Sequence, residues 1–367
     1  MSEGYEIDFL PVGKGKHSGD ALALRWLMNG RYYVMVYDGG DQDAGRSLVR
    51  HIKEFYETDT VDFVVNSHPD NDHASGLSVV LEELNVKELW MHRPWQYSSE
   101  ILHYFKDGRI TDASLERRLK EKMSAAYRLE QLAIEKGITI NEPFQGEQIG
   151  PFTVMSPERD WYVHDLVPKF TKTPELAPID LLMDGVAAAM ESVNEMAAYA
   201  ADKNMIDSWD IEFLRENVKT SAENDSSCVL FGRIANRGIL LTGDAGVQAL
   251  QQCLDYAPFA GATFPADLNF IQIPHHGGRH NVSTKVLDEL LGTKKSHDDG
   301  QTPFMAFVSA SKLAPTHPKK MVTNAFIKRG AKVYATKGQS IRHARGMPKR
   351  NWSALTPIDF SELIEKW

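Results

Sequence analysis

A layered α/β fold is what this sequence predicts, and three observations carry that expectation. Short runs rich in β-branched and aromatic residues fall into two groups, one near the start of the chain and one beginning at about residue 226. Mostly helical material separates them, and further helical stretches lie between the strands. The composition, 42% hydrophobic and 25% charged over 367 residues, is that of a globular enzyme able to bury a real core.

In chain order, the first strands are expected at IDFLPV (7–12), ALALRWLM (21–28), RYYVMVYDGG (31–40) and VDFVVNSH (61–68). A long helix is expected within 97–136, where Leu115, Leu119, Met123, Tyr127 and Leu129 stand near helical spacing and Gly137 marks an end. FTVMSP (152–157) returns to strand. Residues 176–220 are rich in Ala, Met, Leu and Glu and poor in β-branched types, which favours helix. Strands resume at 226–234, 238–244, 268–276, 304–310 and 332–336. Asp38, His68, Asp244 and the pair His275-His276 all fall where strands end, the place at which α/β enzymes gather ligands.

Composition narrows the chemistry. No run approaches the ~18 apolar residues of a membrane span, and MSEGYEIDFL lacks the regions of a signal peptide, so a cytoplasmic protein that does not engage membranes is expected. Only Cys228 and Cys253 are present, so any metal must be held by His and carboxylate. The net charge of −9 argues against a protein that coats nucleic acid, yet the average conceals an asymmetry. Residues 301–358 contain no Asp or Glu but eleven basic side chains, leaving about −20 on the remainder. That segment is either a solvated basic surface or a face for polyanions.

The decisive stretch is Ser67-His68-Pro69-Asp70-Asn71-Asp72-His73, which sets four potential metal ligands in six residues directly after an apolar strand. Imidazole nitrogen and carboxylate oxygen suit Zn²⁺ or Mn²⁺, and a pair of ions needs such a dense supply. Asp244 ends the apolar run LLTGD, where a carboxylate is costly unless paired or metal-bound. His275 and His276 close LNFIQIPHHGG in the same way. GKGKHSG (13–19) fits no phosphate-loop pattern and reads as a connection between strands.

With these residues in view, the chain resembles the metallo-β-lactamase superfamily, and within it the ComEC-type hydrolases of bacterial DNA uptake. The resemblance rests on SHPDNDHASGL (67–77), LLTGD (240–244) and IPHHGG (273–278) in that order, with YDGG (37–40), ENDSSCVL (223–230), VSASKLAPTHP (308–318) and ATKGQSI (335–341) beside them. It implies a single αββα sandwich over residues 1–367 with helical insertions at about 97–136 and 158–222 and a basic portion at 301–358. It also implies two divalent metal ions, Zn²⁺ or Mn²⁺, and hydrolysis by a metal-bridging hydroxide. Carried over, the pattern puts His68 and Asp70 on one ion, Asp72, His73 and His275 on the other, and Asp244 between them. Where relatives carry a further histidine ahead of the TGD aspartate, this chain offers Asn224 and Asp225, and Asp225 is the better donor. His276, His317 and Lys337 are expected to stabilise charge on the reacting oxygens, with Asp72 essential to catalysis.

The expected activity is therefore a metal-dependent phosphodiesterase or nuclease acting on single-stranded or end-bearing DNA. Hydrolysis of a small nucleotide or ester is the alternative. A metal-binding regulatory subunit of a DNA-processing or defence complex, with a protein partner, is the third reading.

Overall fold

The computed structural model describes residues 3–13, 19–105, 109–170, 204–296 and 304–367. The first group of runs forms β1 (Gly4–Phe9), β2 (Ala21–Met28), β3 (Arg31–Gly39), β4 (Thr60–Val65), β5 (Asn85–Trp90) and β6 (Thr139–Asn141). Next come β7 (Gln148–Ile149), β8 (Phe152–Ser156), β9 (Asn204–Ile206), β10 (Val229–Ile234), β11 (Arg237–Leu241), β12 (Leu268–Gln272), β13 (Phe304–Val308) and β14 (Ala331–Ala335). The chain closes with β15 (Ile341–Arg345) and β16 (Leu363–Glu365). Two seven-stranded sheets result, ordered β15-β1-β2-β3-β4-β5-β6 and β14-β13-β12-β11-β10-β8-β7. Strands β3 to β6 run parallel, as do β11 to β14. Their carboxyl ends are the edges that carry the Asp and His residues singled out above.

Three apolar layers hold the sandwich. Between the sheets, Phe9, Trp26, Phe152, Phe270 and Phe307 interlock, each all but fully buried. On the outer face of the first sheet, Leu48 and Ile52 of the helix Gln42–Phe55, Leu77 and Val80 of Asn71–Glu83, and Leu129 of Ser124–Lys136 form a second layer. On the outer face of the other sheet, Leu250, Leu287 and Phe326 do the same from the helices Val247–Tyr256, Thr284–Leu291 and Lys320–Lys328. The architecture is the αββα sandwich expected. No helix among the described residues is long and apolar enough to cross a membrane.

Two expectations are revised. The single helix of 97–136 is a string of shorter ones, Ser98–Ile101, Asp112–Lys122 and Ser124–Lys136, broken at Met123 where the backbone leaves helical geometry (ψ 44°). Of the helical stretch at 176–220, residues 176–203 lie outside the described residues. Its remainder holds β9, which pairs antiparallel with β16 around the fully buried Ile364, so tertiary pairing overrides helix propensity.

The acid-free segment is less of a free surface than its composition suggests. Arg342 and Arg350 both pair with Glu6, at 2.5 and 2.7 Å, and Arg350 also with Asp8, at 3.0 Å. Glu6 and Asp8 are fully buried on β1, the strand against which β15 lies. Lys328 meets the buried Asp207 at 2.8 Å, and Arg329 meets Glu212 and Asp288. Four of the eleven basic residues thus neutralise carboxylates inside the molecule.

Candidate metal centre

Strand β3 ends in Tyr37-Asp38-Gly39, parallel to β4, whose continuation is Asn66-Ser67-His68. The helix Asn71–Glu83 follows and must pass closely over the end of β3. Gly76 permits this: a Cβ there would stand 1.9 Å from the Gly39 carbonyl oxygen and 2.5 Å from that of Asp41. The loop from Ser67 to His73 is thereby pressed onto Asp38.

Asp38 is fully buried, in left-handed backbone geometry (φ 57°). Its carboxylate accepts hydrogen bonds from the Ser67 N–H at 2.7 Å, the Ser67 hydroxyl at 2.6 Å and His73 Nδ1 at 2.9 Å. The Ser67 oxygen lies 2.9 Å from His68 Nδ1. An acceptor that is only a carboxylate places the proton on His73 Nδ1. The Ser67 hydrogen is already engaged with Asp38, so His68 Nδ1 must donate as well. Both imidazoles are left with Nε2 as the metal-binding atom, and both Nε2 atoms are buried without a hydrogen-bond partner.

The second sheet brings its own donors to the same place. Asp244 follows β11, and its Oδ2 lies 3.3 Å from His73 Nε2, 3.6 Å from His275 Nδ1, 3.8 Å from His276 Nε2 and 3.9 Å from His68 Nε2. His68 Nε2 is 3.7 Å from Asp70 Oδ2. Gln272, the last residue of β12, accepts from the N–H groups of Thr242 and Gly243 and donates to Asp20 Oδ2 at 2.9 Å. The other oxygens of Asp20 and Asp244 are buried and unpartnered. Donor atoms of Asp38, His68 and His73, of Asp72, His73 and His276, and of Asp20, Asp244 and His276 form groups lying within 4.8 Å of one another. The non-glycine residues His275 (φ 46°) and His276 (φ 56°) both adopt left-handed backbone, a strain of about 1–3 kcal/mol each that the surrounding structure must hold.

These side chains fit a divalent cation. Asp20, Asp38 and Asp244 are at most 4% exposed, and among the described residues no lysine or arginine pairs with any of them. Buried carboxylates persist where they are paired or bind metal. Burial pushes the His73 imidazole down, but Asp244 and Asp38 outweigh it and hold it well above its ordinary value. Burial pushes Asp244 up, and His73, His275 and His276 pull it well below the usual carboxylate range. Asp20, lifted by burial and by Asp244 and Asp38 against the pull of His73, reaches about 7. An Nε2 that takes a proton this firmly is short of positive charge, and a proton and a metal ion compete for the same atom.

The residues expected from the sequence divide as follows. His68, Asp70, Asp72, His73, Asp244 and His276 converge. His275 stays at Asp244 but belongs to none of the compact donor groups, and the side-chain amide of Asn224 lies against its Nδ1. Asp225, one residue on, turns away: its Oδ1 accepts from the N–H of Gly246 at 3.1 Å, at the start of the helix Val247–Tyr256, and a Cβ on Gly246 would meet it at 2.4 Å. Burial, opposed by the N–H groups of Ala249 and Gly246, raises Asp225 to about 7. His317 is half-buried, with the Thr316 hydroxyl 3.1 Å from its Nδ1. Burial, then Lys319, His275 and Lys337, lower it to about 3, so it lies within electrostatic reach of the centre as a neutral imidazole. Lys337 donates to the carbonyls of Ala314 and His317 and so braces the loop that carries His317. Asp20 and Asp38 join the site although no ligand spacing in the sequence marks either of them; Asp38 stands only at a strand end.

The position of Asp225 gives an expected result. Asp225→Ala should lower stability by about 0.5–2 kcal/mol, the usual cost of losing a helix cap, while metal content stays at the wild-type level. Urea denaturation and elemental analysis of the purified protein check both parts, and loss of metal would restore Asp225 as a ligand.

No protein-family model matches the chain, and no curated protein sequence matches it. Among solved structures it is similar to the metallo-β-lactamase fold protein YhfI of Bacillus subtilis, at 8% identity over 91% of this chain and 86% of that one, TM-score 0.37. It is similar to the hydrolase AbOPH of the β-lactamase superfamily, at 10% identity over 66% of this chain and 69% of that one, TM-score 0.32. A third is a putative metallo-β-lactamase of Thermotoga maritima, at 10% identity over 45% of this chain and 69% of that one, TM-score 0.26.

Proposed function

We propose that the chain is a metal-dependent hydrolase of phosphodiesters, with DNA as its substrate and two divalent ions, Zn²⁺ or Mn²⁺, in the centre. One observation carries the metal: the buried Nε2 atoms of His68 and His73, without hydrogen-bond partners, face Asp244, whose Oδ1 is likewise unpartnered, while Asp38 and Ser67 fix their other nitrogens. His68, Asp70 and Asp244 would hold one ion, and Asp72, His73 and His276 the other, with Asp20 at their edge. Bound divalent ions supply Lewis acidity there, polarising a phosphoryl oxygen and lowering the pKa of water. Around them, Asp38 and Gln272 keep the donors in place. His317, neutral and with Thr316 at its Nδ1, leaves Nε2 to meet a substrate oxygen. The motif order HxDxDH, TGD, PHHG supports the ComEC-like branch and hence nucleic acid.

A small phosphodiester is the second reading, and the internal ion pairs of Lys328, Arg329, Arg342 and Arg350 favour it, since those cations are no longer available to a long polyanion. The test is hydrolysis of a single-stranded oligonucleotide, a duplex and a cyclic dinucleotide by protein loaded with Mn²⁺ or Zn²⁺, across a range of salt. Oligonucleotide cleavage that falls steeply with salt and vanishes in Asp72→Ala is expected. Full metal loading with no cleavage of any phosphodiester would remove the proposal.

A further inference from the structure

At the opposite end of the sandwich from the metal centre, the amino ends of β1, β11, β12 and β13 and the last residues of β15 open onto a cavity of about 920 Å³. That is the upper end of the range of small-molecule sites. Strands of β-sheet rise about 3.3 Å per residue, so β11 and its continuation, from Arg237 to Asp244, set this cavity roughly 20 Å from the donor cluster.

Among the described residues its lining contains four cationic side chains, Arg237, Lys294, Lys295 and Arg345, and no carboxylate. Arg237, Lys294 and Arg345 have no carboxylate partner among the described residues; Lys294 Nζ donates to the backbone carbonyl of Asp210. The neighbouring carboxylate, Asp267, is already taken by Arg233 at 2.8 Å and the Thr263 N–H at 2.7 Å. Tyr5 and His343 form the floor, their polar atoms 3.0 Å apart. The cationic field reaches them: burial pushes the Tyr5 phenol up while Arg237 and Arg345 pull it down, and burial and Arg237 together lower His343 to about 4. Leu291, Phe304 and Met305 add an apolar wall beside the charges.

Arg237 and Arg345 without a carboxylate partner among the described residues, an apolar wall and room for more than one phosphate define a ligand chemistry. We propose that this cavity binds a small organic phosphate of nucleotide size, its phosphates held by Arg237 and Arg345 and its apolar moiety against Leu291 and Phe304. The site is separate from the metal centre, and the inference does not depend on what that centre hydrolyses.

Isothermal titration of the full metal-loaded chain with adenosine diphosphate tests it. Saturable binding is expected, weakening about tenfold or more in Arg237→Gln/Arg345→Gln, because each charge-assisted hydrogen bond lost is worth at least that factor. Thermal midpoints should be unchanged, and Arg237→Lys/Arg345→Lys should recover part of the affinity. Equal binding by the wild type and the Gln variant overturns the proposal, as does binding lost on Asp244→Asn but kept in the Gln variant, which would place the ligand at the metal centre. Tighter binding of a single-stranded oligonucleotide than of the diphosphate, lost in the same Gln variant, also overturns it in favour of nucleic acid.

Discussion

Asp244→Asn is expected to abolish metal binding at the centre and with it all hydrolysis. The carboxylate stands within 4 Å of four imidazole nitrogens, on His68, His73, His275 and His276, and among the described residues no other carboxylate is so placed. Groups that merely orient a metal ligand cost about 10–100-fold in metal affinity when removed, so the loss of this direct donor should exceed 100-fold. The amide is nearly isosteric and keeps one oxygen, which separates charge from shape. The Asp244 N–H bond to Ser227 and the Asn281 bond to its carbonyl are backbone contacts, so the turn itself should persist. Elemental analysis after dialysis, with circular dichroism as a check of folding, decides the matter; wild-type metal content in a folded Asp244→Asn protein would end the case for a metal centre here.

Asp38→Ala should be the most damaging change outside the direct donors, in stability as well as in metal affinity. It removes the acceptor of the Ser67 N–H, the Ser67 hydroxyl and His73 Nδ1 at once, and all three donors are buried. Breaking a buried charged pair from one side costs about 3–5 kcal/mol, because the partner stays buried without compensation. Asp38→Asn keeps an acceptor oxygen and should retain more stability while still losing about 10–100-fold in metal affinity, since His73 loses the carboxylate that fixes its tautomer. Urea denaturation and metal titration of the two variants measure the two effects separately. Unchanged metal affinity in Asp38→Asn would mean that the His73 ring is held by packing alone.

The sheets and the candidate ligands were differently legible in the sequence. Strands such as β2, β11 and β12 announce themselves as apolar runs because both faces of a sheet inside a sandwich are covered. Strands β5 and β15 do not: NVKELW carries Lys87 and Glu88 at its middle, and IRHAR is strand only because β1 lies beside it with Glu6 ready for Arg342. The dense loop of residues 68–73 signals metal by spacing alone. Asp20 and Asp38, single aspartates beside apolar runs, carry no such spacing, and their part emerges only when the two sheets face each other. Which of two adjacent histidines enters the cluster depends on a left-handed turn at both, and the choice between Asn224 and Asp225 on a helix start more than twenty residues downstream, neither of which local sequence records.

The pairing of β15 with β1, stitched by Arg342 and Arg350 onto two buried acids, joins residues more than three hundred positions apart. During synthesis Glu6 meets Arg25 early, at 2.5 Å in the folded protein, and Asp8 meets the Tyr56 hydroxyl, but Arg342 and Arg350 are made only some three hundred residues later. The first sheet therefore completes late, and until β15 has been made the β1 edge it covers is an open row of backbone donors and acceptors, the kind of edge that invites pairing with other chains.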